Sequence, residues 1–349
     1  MDSPPSDTSK ACGVGDYTYL IADYLRRLSV ETRVFDRIEW NKEGILGLRK
    51  KLDDFEADIL HIQYPPIGYT RSLTAALFSA FPPAANVFVT IHEYTQAHPL
   101  RKWCIGFMAR HAEGMIFTSE FELQEFLRKN PNLNSRPKVV PIASNIAFPS
   151  ALKSTGRDPY TVIYFGQLRP EKGIEDFIEL VRLSGEEGRH YKFKVVGTPH
   201  PNHLSFYNKL RERESKLPLQ WEVGRSAKDV EEIFSESTYA YLPFPDGASE
   251  RRGSLLAVLS NGLATITTSG SQTPEGLKGA VTFADSPSDA LRKLDMLVSR
   301  PEDRDGTTIR GIEFARRFTW EEIAKSHYAF YEEILRERGY HDTLQGRWS

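Results

Sequence analysis

Short apolar runs rich in β-branched and aromatic residues alternate with amphipathic stretches along most of the chain. Runs of this kind predict buried strands, and the amphipathic stretch between two of them predicts a helix that connects parallel strands. Since such helices pack on both faces of a sheet, the alternation predicts an α/β fold built on doubly wound parallel sheets. At 349 residues the chain is long enough for two domains of this type.

The first half predicts one Rossmann-like domain over residues 1–150. A glycine-rich turn such as Cys12–Tyr17 normally follows a first strand, but Ser3–Ala11 is rich in proline, serine, aspartate, threonine and lysine. We therefore expect the first strand of this domain to be missing. The strand candidates are ETRVFD from Glu31, ADILHIQY from Ala57, NVFVTIHEY from Asn86, GMIFTS from Gly114 and KVVPIAS from Lys138, separated by helical patterns from Tyr19, Arg71 and Glu120.

A polar segment at 149–159 lacks periodicity and is interpreted as a linker, and a second Rossmann-like domain is predicted over residues 158–318. The segment 319–338 predicts a long terminal helix with Thr319 as N-cap and Glu322 completing a capping box. The strand candidates of the second domain are YTVIYFG from Tyr160, YKFKVVG from Tyr191, LQWEVG from Leu219, TYAYLPFP from Thr238, LATITT from Leu263 and AVTFAD from Ala280.

The composition of the chain argues against several classes of function. A net charge of −2, with basic residues spread along the chain, argues against a nucleic-acid-binding protein, which concentrates its cations on one face. No segment has the length of a membrane span, and the start of the chain lacks the pattern of a secretory signal, so we expect a cytoplasmic protein. Cys12 and Cys104 lie far apart and predict neither a disulfide framework nor a zinc site.

The segment FGQLRPEKG, residues 165–173, follows the apolar run YTVIY. In a doubly wound sheet, ligands bind in the crevice at the carboxyl ends of the strands. Gly166 is expected to end the strand and to let the backbone turn close to a ligand, while Arg169 and Lys172 bring two positive charges. The pair suits an anionic ligand, most simply a diphosphate, and solvated loop charges are the alternative.

A second segment, PFPDGASERRGSLLAVLSNG from Pro243, predicts a loop followed by a helix that opens near Ser254. Gly253 and the first helical N–H groups would then point into the same crevice, where a helix N-terminus binds phosphate. Arg251 and Arg252 directly precede this helix. Their pattern leaves open whether they contact a ligand or only solvent.

Two features of the first half are candidates for the same crevice chemistry. CGVGDYT, at Cys12–Thr18, is a glycine-rich loop in which Gly13 and Gly15 permit close backbone approach, but it lacks the third glycine of a dinucleotide fingerprint. His92 ends a strand candidate, where an imidazole can contact a sugar hydroxyl or transfer a proton, and a structural role is the alternative. His61 lies inside a strand candidate between apolar residues and is interpreted as a packing residue.

Together these segments resemble glycosyltransferase family 4, a family of retaining enzymes with the GT-B fold. The resemblance covers nearly the whole chain and depends on the order and spacing of CGVGDYT, IHEY, FGQLRPEKG, VVGTP, SERRGSLLAVLSNGLATITT and the terminal helix. It implies two Rossmann-like domains facing across a cleft, with the terminal helix returning to the first domain. The second domain would hold a nucleotide diphosphate sugar, and the first a carbohydrate or glycoconjugate acceptor; neither a metal nor another cofactor is expected.

The resemblance also assigns roles to single residues. Lys172 would stabilise the charge that develops on the leaving diphosphate. Glu250 would hold hydroxyl groups of the donor sugar, and His92 would lie near the reacting centre. Gly15 would approach the donor phosphates, and Ser119 would line the acceptor side.

The chain departs from the family pattern at two places. The family has an arginine directly after the glycine of FGQLRPEKG, where this chain has Gln167, so Arg169 is expected to take over that role. The family also has a second glutamate seven residues after the first, which here falls at Ala257 or Val258. The loss of such a charge-assisted hydrogen bond costs roughly 1.5–3 kcal/mol, so we expect the donor to be held differently or weakly.

The reaction implied is metal-independent transfer of a hexosyl group to an acceptor hydroxyl with retention. Two alternatives stay open. A catalytically inactive scaffold is favoured by the missing strand and glutamate, and a nucleotide-sugar epimerase on the same fold would need further acid and base residues. The pattern leaves open the nucleotide, sugar, acceptor, linkage and oligomeric state.

Two polar segments complete the sequence evidence. The acidic pair at Asp303 and Asp305 is expected in a polar loop outside a strand end, where a metal site is disfavoured. The segment PLRKWCIGFMARHAEG from Pro99 mixes basic and apolar residues at helical spacing. It predicts either weak association with the inner face of a membrane or a buried helix with basic side chains at its edge, and the second interpretation is favoured.

Overall fold

The computed structural model describes residues 13–35, 42–64, 74–81, 86–131, 133–144, 146, 148–149 and 156–339. The chain divides into two compact units, the first formed by residues 1–142 with 320–349 and the second by residues 143–319. Each unit contains one parallel sheet whose successive strands are joined through helices.

The described part of the first unit contains four strands, β1 Ile59–Tyr64, β2 Asn86–Ile91, β3 Gly114–Phe117 and β4 Arg136–Val139, and its helices before the second unit are α1 Gly13–Arg27, α2 Lys42–Asp53, α3 Thr74–Ala80, α4 Pro99–Met108 and α5 Glu120–Lys129. The strands form one sheet with the order β1-β2-β3-β4. All three strand pairs are parallel, and β2 and β3 are buried along their whole length, as expected for strands covered on both faces.

The second unit contains a six-stranded parallel sheet, and its core is one continuous cluster of buried apolar side chains. Numbered from its own first strand, the sheet has the order 3-2-1-4-5-6 that is typical of dinucleotide-binding domains. Its strands are β5 Asp158–Leu168, β6 Lys192–Pro199, β7 Leu219–Val223, β8 Ser237–Leu242, β9 Ala264–Thr267 and β10 Thr282–Phe283, and its helices are α6 Ile174–Glu186, α7 Leu204–Arg213, α8 Ala227–Glu236, α9 Gly253–Ser260, α10 Pro287–Ser299 and α11 Pro301–Arg316.

The terminal helix α12, Trp320–Glu337, belongs to the first unit, where it packs against α1. Its buried side includes Trp320, Ile323, His327 and Tyr331, which recur at helical spacing. The apolar face of this amphipathic helix therefore covers the first sheet, since Phe330 and Tyr331 pack edge to face on Phe88 of β2.

Several local predictions are wrong. No strand forms at residues 31–35, where the Thr32 carbonyl accepts hydrogen bonds from the Arg26 side chain instead of from a ladder. Gly13 and Gly15 lie in the first turn of α1 and not in a loop. The pair Asp303 and Asp305 lies on α11, also not in a loop. The expected absence of a first strand concerns residues that lie outside the described part of the chain.

The strand that was expected to end at Gly166 continues to Leu168. Gly166 stays in register with Gly197 of β6, so the ladder does not break there. A Cβ atom on Gly197 would lie 1.9 Å from the Gly166 carbonyl oxygen. The close approach that a glycine permits here is therefore between two strands, and the strand ends two residues later than expected.

Candidate functional site

The order of the second sheet locates the candidate site of this unit. The strands β5 and β8 are neighbours, but the chain leaves β5 towards β6 on one side and leaves β8 towards β9 on the other. Ligands of doubly wound sheets bind at this point, outside the carboxyl ends of the two strands. The loops that follow β5 and β8 are 169–173 and 243–252, the two segments that the sequence singled out.

The two loops touch, and a glycine makes this contact possible. Gly173 has φ +81°, and a Cβ atom at this position would lie 1.8 Å from the carbonyl oxygen of Pro243. The hydroxyl group of buried Tyr164 donates a hydrogen bond to the Lys172 carbonyl oxygen at 2.9 Å. The backbone around Lys172 is therefore fixed from both sides, by β5 and by the loop after β8.

The first of these loops also contains a strained residue. Glu171 has φ +64°, in the left-handed region that side chains other than glycine rarely adopt. Such a residue costs of order 1–3 kcal/mol and persists only where its surroundings enforce it, which happens often at ligand-binding sites. The tight turn that it makes leads directly into Lys172 and the start of α6.

Positive charge is concentrated at this point. Burial lowers the pKa of the Arg252 guanidinium, and the charges of Arg251 and Arg169 act in the same direction, while Asp246 opposes them through an ion pair. Arg169 and Arg252 are 83 positions apart in sequence, yet the charge of Arg169 is close enough to act on Arg252. The Nε atom of Arg252 is buried and has no hydrogen-bond partner among the described residues.

The helix α9 begins beside these cations. Arg252 is its N-cap residue, and no side chain caps its first N–H groups. Gly253 and Ser254 are partly exposed, and the space where a Gly253 Cβ atom would lie is open. An uncapped helix N-terminus of this kind attracts an anion through its N–H groups and its dipole.

Two other residues that the sequence singled out lie at the carboxyl edge of the second sheet. Arg169 lies next to Gln167, because its Nε donates a hydrogen bond of 3.4 Å to the Gln167 amide oxygen. Glu250 is partly exposed just before α9. Ala257 and Val258, where a second glutamate would fall, are fully buried on that helix, so no carboxylate takes this place.

The candidate residue of the first unit, His92, follows β2 and is held by a chain of hydrogen bonds. Its Nε2–H donates to the amide oxygen of Gln63 at 2.9 Å. The Gln63 amide nitrogen donates to Nε2 of His61 at 3.3 Å, and Thr90 bonds the same nitrogen at 2.8 Å. Nδ1 of His61 then donates to the Tyr331 hydroxyl at 2.6 Å, so His61 is neutral and is part of a network as well as of the packing.

A second histidine on the terminal helix lies beside this network. Nδ1–H of His327 donates to the Ile323 carbonyl at 2.9 Å, and its Nε2 accepts from the Tyr17 hydroxyl at 3.3 Å. Tyr17 also packs edge to face on the His92 ring, at 4.8 Å between centroids. His92 is therefore supported by α1 as well as by β1.

His61 and His327 are kept neutral by their surroundings. Burial lowers the pKa of His327 to about 4, with a smaller contribution from the charge of Lys138. Burial also lowers the pKa of His61 well below its ordinary value, and His327 and His92 act in the same direction. His61 has some exposed area, but the protein around it removes enough water to disfavour the imidazolium.

Ser119 has a structural role in the described fold. It is the N-cap of α5, where its hydroxyl accepts a hydrogen bond from the Glu122 backbone, and it is only 5% exposed. Gly15, in α1, lies two residues before Tyr17 and so near the support of His92. The role of Ser119 at an acceptor site and the approach of Gly15 to the donor phosphates remain predictions.

Sequence reasoning missed the partners that hold the candidate residues. Gln63 was not singled out, although HIQY in β1 places His61 and Gln63 two residues apart, on the same face of the strand. Tyr17 and His327 gave no signal, because they are 310 positions apart and meet only through the packing of α12 on α1. Tyr164 was part of an apolar run and is recognisable as a support for Lys172 only in three dimensions.

Known structures with the same architecture are numerous and distant in sequence. Sucrose-phosphate synthase from Thermosynechococcus elongatus is 13% identical, with a TM-score of 0.67 over 93% of this chain and 94% of that protein. A glycosyltransferase from Rickettsia africae is 15% identical, with a TM-score of 0.68 over 93% and 96%. HepE from Anabaena, in complex with UDP and glucose, is 11% identical, with a TM-score of 0.68 over 94% and 98%.

At these identities the likeness concerns the fold. It confirms the predicted fold class, two α/β units with parallel sheets and the fold of GT-B glycosyltransferases. No protein-family model and no curated protein matches the sequence. Among the helices of the described part, none has the length and apolar character needed to cross a bilayer.

Proposed function

We propose that this protein is a glycosyltransferase that moves a hexosyl group from a nucleotide diphosphate sugar to an acceptor hydroxyl, with retention and without a metal ion. The observation that carries the proposal is the proximity of Arg169 and Arg252 at the point where the second sheet changes direction. Two loops from distant parts of the sequence bring their cations to one helix N-terminus. A diphosphate is the ligand that this arrangement fits best.

In this proposal, groups from the loops after β5 and β8 stabilise the leaving group. Lys172, whose backbone is fixed by Tyr164 and Pro243, would act on the diphosphate oxygen as the bond to the anomeric carbon breaks. Arg169 and the N–H groups of Gly253 and Ser254 would bind the other phosphate oxygens. The ribose carboxylate of the family pattern has no counterpart at Ala257 or Val258, so the donor depends more on its diphosphate.

The transfer step needs no protein nucleophile in this proposal. The acceptor hydroxyl oxygen forms the new bond to the anomeric carbon on the face from which the diphosphate leaves. The carbon–oxygen bond to the diphosphate breaks, its electron pair stays with the phosphate oxygen, and a phosphate oxygen takes the hydroxyl proton. The membership of glycosyltransferase family 4, and the roles of His92, Glu250, Gly15 and Ser119 in this step, rest on the sequence resemblance.

UDP is the first donor nucleotide to test, because HepE and the pneumococcal O-GlcNAc transferase GtfA, which has the same fold, are known in complex with UDP. Thermal unfolding would be followed with UDP, GDP, ADP, dTDP and their hexose conjugates. A ligand at a hundred times its dissociation constant stabilises the native state by about 2.7 kcal/mol, a shift of a few degrees. We expect one nucleotide to give this shift.

The variant Lys172→Ala separates an enzyme from a scaffold. Transfer measured as release of the nucleoside diphosphate should fall by roughly a hundredfold or more, since one preorganised group is lost from the leaving-group site. The matched control is Lys278→Ala, which removes an exposed lysine of the same unit whose partner is Glu275. Nucleotide binding with no turnover in wild type would contradict transfer and support a scaffold, and turnover without acceptor would support an epimerase.

Two further measurements test the finer parts of the proposal. The anomeric configuration of the product, read by NMR, should equal that of the donor, and an inverted product contradicts the front-face step. Activity should persist in EDTA. A loss that added magnesium or manganese restores would overturn metal independence.

A further inference from the structure

The outward face of α4 carries apolar side chains where a surface helix normally carries polar ones. Leu100 and Trp103 are 45% and 58% exposed, and Phe107 is partly exposed. These three positions recur at spacings of three and four residues, so they share one side of the helix. The opposite side, with Ile105, is buried in the core, as are the flanking Cys104 and Met108. The sequence prediction of a buried helix therefore describes only one of the two faces.

Aromatic stacking extends this exposed face along the helix. The rings of Trp103 and Phe107 stack at 5.8 Å between centroids, and the Phe107 ring lies 4.3 Å from that of His111. The neighbouring α3, which packs against α4, also carries exposed apolar side chains, Leu77 at 54% exposure and, just after its end, Phe81 at 71%. We name Leu77, Phe81, Leu100, Trp103 and Phe107 the α3–α4 patch.

The charged side chains of α4 have one sign. The helix contains Arg101 and Lys102 and no acidic residue, and the exposed Arg110 follows it. Lys102 donates a hydrogen bond to the Thr95 carbonyl, so its charge stays at the edge of the helix. An apolar surface bordered by cations is therefore presented on one side of the first unit.

A cavity of about 290 Å³ lies at the end of this helix. Its lining includes Arg110, His111, Arg136 and Arg338, together with Glu113 and Glu337. Arg136 is paired with Glu333 and Glu337, and Arg338 with Glu113. The carboxylates balance two of the three arginines, so Arg110 adds net positive charge where the cavity meets α4.

We propose that the α3–α4 patch docks this protein on the surface of an anionic phospholipid bilayer. Leucine and aromatic side chains enter the boundary between headgroups and acyl chains, and cations at their edge are attracted by anionic headgroups. A second copy of this chain fits less well, because a symmetric contact would bring Arg101, Arg110 and their copies together. The proposal does not depend on the proposed sugar transfer, since the patch belongs to the first unit and the candidate diphosphate site to the second.

Vesicle sedimentation tests this surface with the full chain. The probes are vesicles of phosphatidylcholine alone and of phosphatidylcholine mixed with phosphatidylglycerol. We expect binding to the anionic vesicles that weakens with added salt, because exposed charges are screened. Trp103→Glu should weaken binding by roughly tenfold or more, since one large apolar side chain no longer enters the boundary. In wild type, vesicles with brominated acyl chains should quench the fluorescence of Trp103, and Trp103→Phe should lose that part of the quenching.

The matched control is Leu204→Glu, which makes the same type of change at an apolar side chain of the second unit that is 51% exposed. Equal weakening by both variants, or no binding of wild type to anionic vesicles, would overturn the proposal. So would a dimer in light scattering that Trp103→Glu converts to monomers, which would assign the patch to a second copy. The nucleotide-induced thermal shift, measured on the same variants, reports the second unit separately, so a failure of either proposal can be distinguished.

Discussion

The carboxyl edges of the two sheets differ in the kind of polar group that they carry. The edge of the second sheet has fixed cations, Arg169, Lys172 and Arg252, beside an uncapped helix N-terminus. The edge of the first sheet has a chain of hydrogen-bonded side chains, with His92 bonded to Gln63 and through it to His61. The same strand geometry therefore supports two chemistries, one suited to a diphosphate and the other to uncharged hydroxyl groups.

The two edges are also held together in different ways. The cationic edge depends on backbone geometry, because Gly173 permits a contact with Pro243 that a side chain would prevent. The edge of the first sheet depends on partly buried hydrogen bonds between side chains of β1, β2 and α12. We therefore expect the cationic edge to be most sensitive to added volume and the edge of the first sheet to protonation and to lost hydrogen bonds.

The largest effect is expected for Gly173→Ala. The new Cβ atom would collide with the Pro243 carbonyl, and alanine also disfavours φ +81°, so we expect the loss of about 4 kcal/mol of stability or more. Nucleotide binding should be lost with it, because the loop that holds Lys172 moves. Denaturant unfolding and the nucleotide-induced thermal shift measure the two effects.

The matched control for this variant is Gly188→Ala. Gly188 also has a positive φ, +66°, but open space surrounds its Cβ position. Only the backbone cost of about 1 to 2 kcal/mol is expected there. Similar losses in the two variants would show that the contact between the loops after β5 and β8 is unimportant.

The next largest effect is the pH dependence of the first unit. The pKa of His327 is about 4 in the folded protein against 6.5 for an ordinary histidine, so below pH 6.5 the unfolded chain binds a proton that the folded chain does not. Stability should therefore fall by a few kcal/mol as the pH decreases from about 6.5 to about 4, and should depend little on this group above that window. Thermal unfolding of wild type between pH 7 and pH 4 measures the slope.

The variant His327→Gln should flatten part of this slope, and the lowered pKa of His61 should account for part of the rest. The control is His111→Gln, which changes an exposed histidine of the same unit and should leave the slope as in wild type. A slope that is the same in His327→Gln and wild type would exclude this histidine as its source.

The smallest effect on stability is expected for Gln63→Leu. It leaves the Nε2–H of His92 without its acceptor and removes a donor to His61, at a cost of about 1 to 2 kcal/mol. If His92 acts at the reacting centre, turnover should also fall, by roughly ten- to a hundredfold, because the ring is no longer held in place. Steady-state transfer rates and denaturant unfolding separate the two consequences.

Thr90→Val is the matched control for Gln63→Leu. Thr90 is fully buried and bonds the same nitrogen of His61, whereas Gln63 bonds His92 directly. We expect a similar loss of stability with turnover near that of wild type. Equal losses of turnover in both variants would mean that Gln63 acts through general stability and not by positioning His92.

Sequence alone determined the elements and the location of the cationic segments. The alternation of apolar runs and amphipathic stretches predicts parallel sheets, because burial on both faces leaves this pattern in any strand of such a sheet. The helix at Gly253 and the cations at Arg169 and Lys172 were also identified, since glycine, serine and charged residues at a strand end are local signals. Local signals predicted a strand end at Gly166 and a strand at residues 31–35, and both predictions were wrong. Partners distant in sequence decide whether a strand forms or continues at these positions.

Only the tertiary structure decided which of these segments meet. The order of the second sheet, with β5 beside β8, brings Arg169 to Arg252, and no local pattern specifies strand order. Packing across the first sheet likewise brings Gln63 to His92. It also brings His327 of the terminal helix to Tyr17, the neighbour of His92. The hydrophobic periodicity of a helix or strand is a property of that element alone. Contacts between polar groups that are far apart in sequence depend instead on how the elements pack. The candidate site can therefore be recognised only in the folded chain.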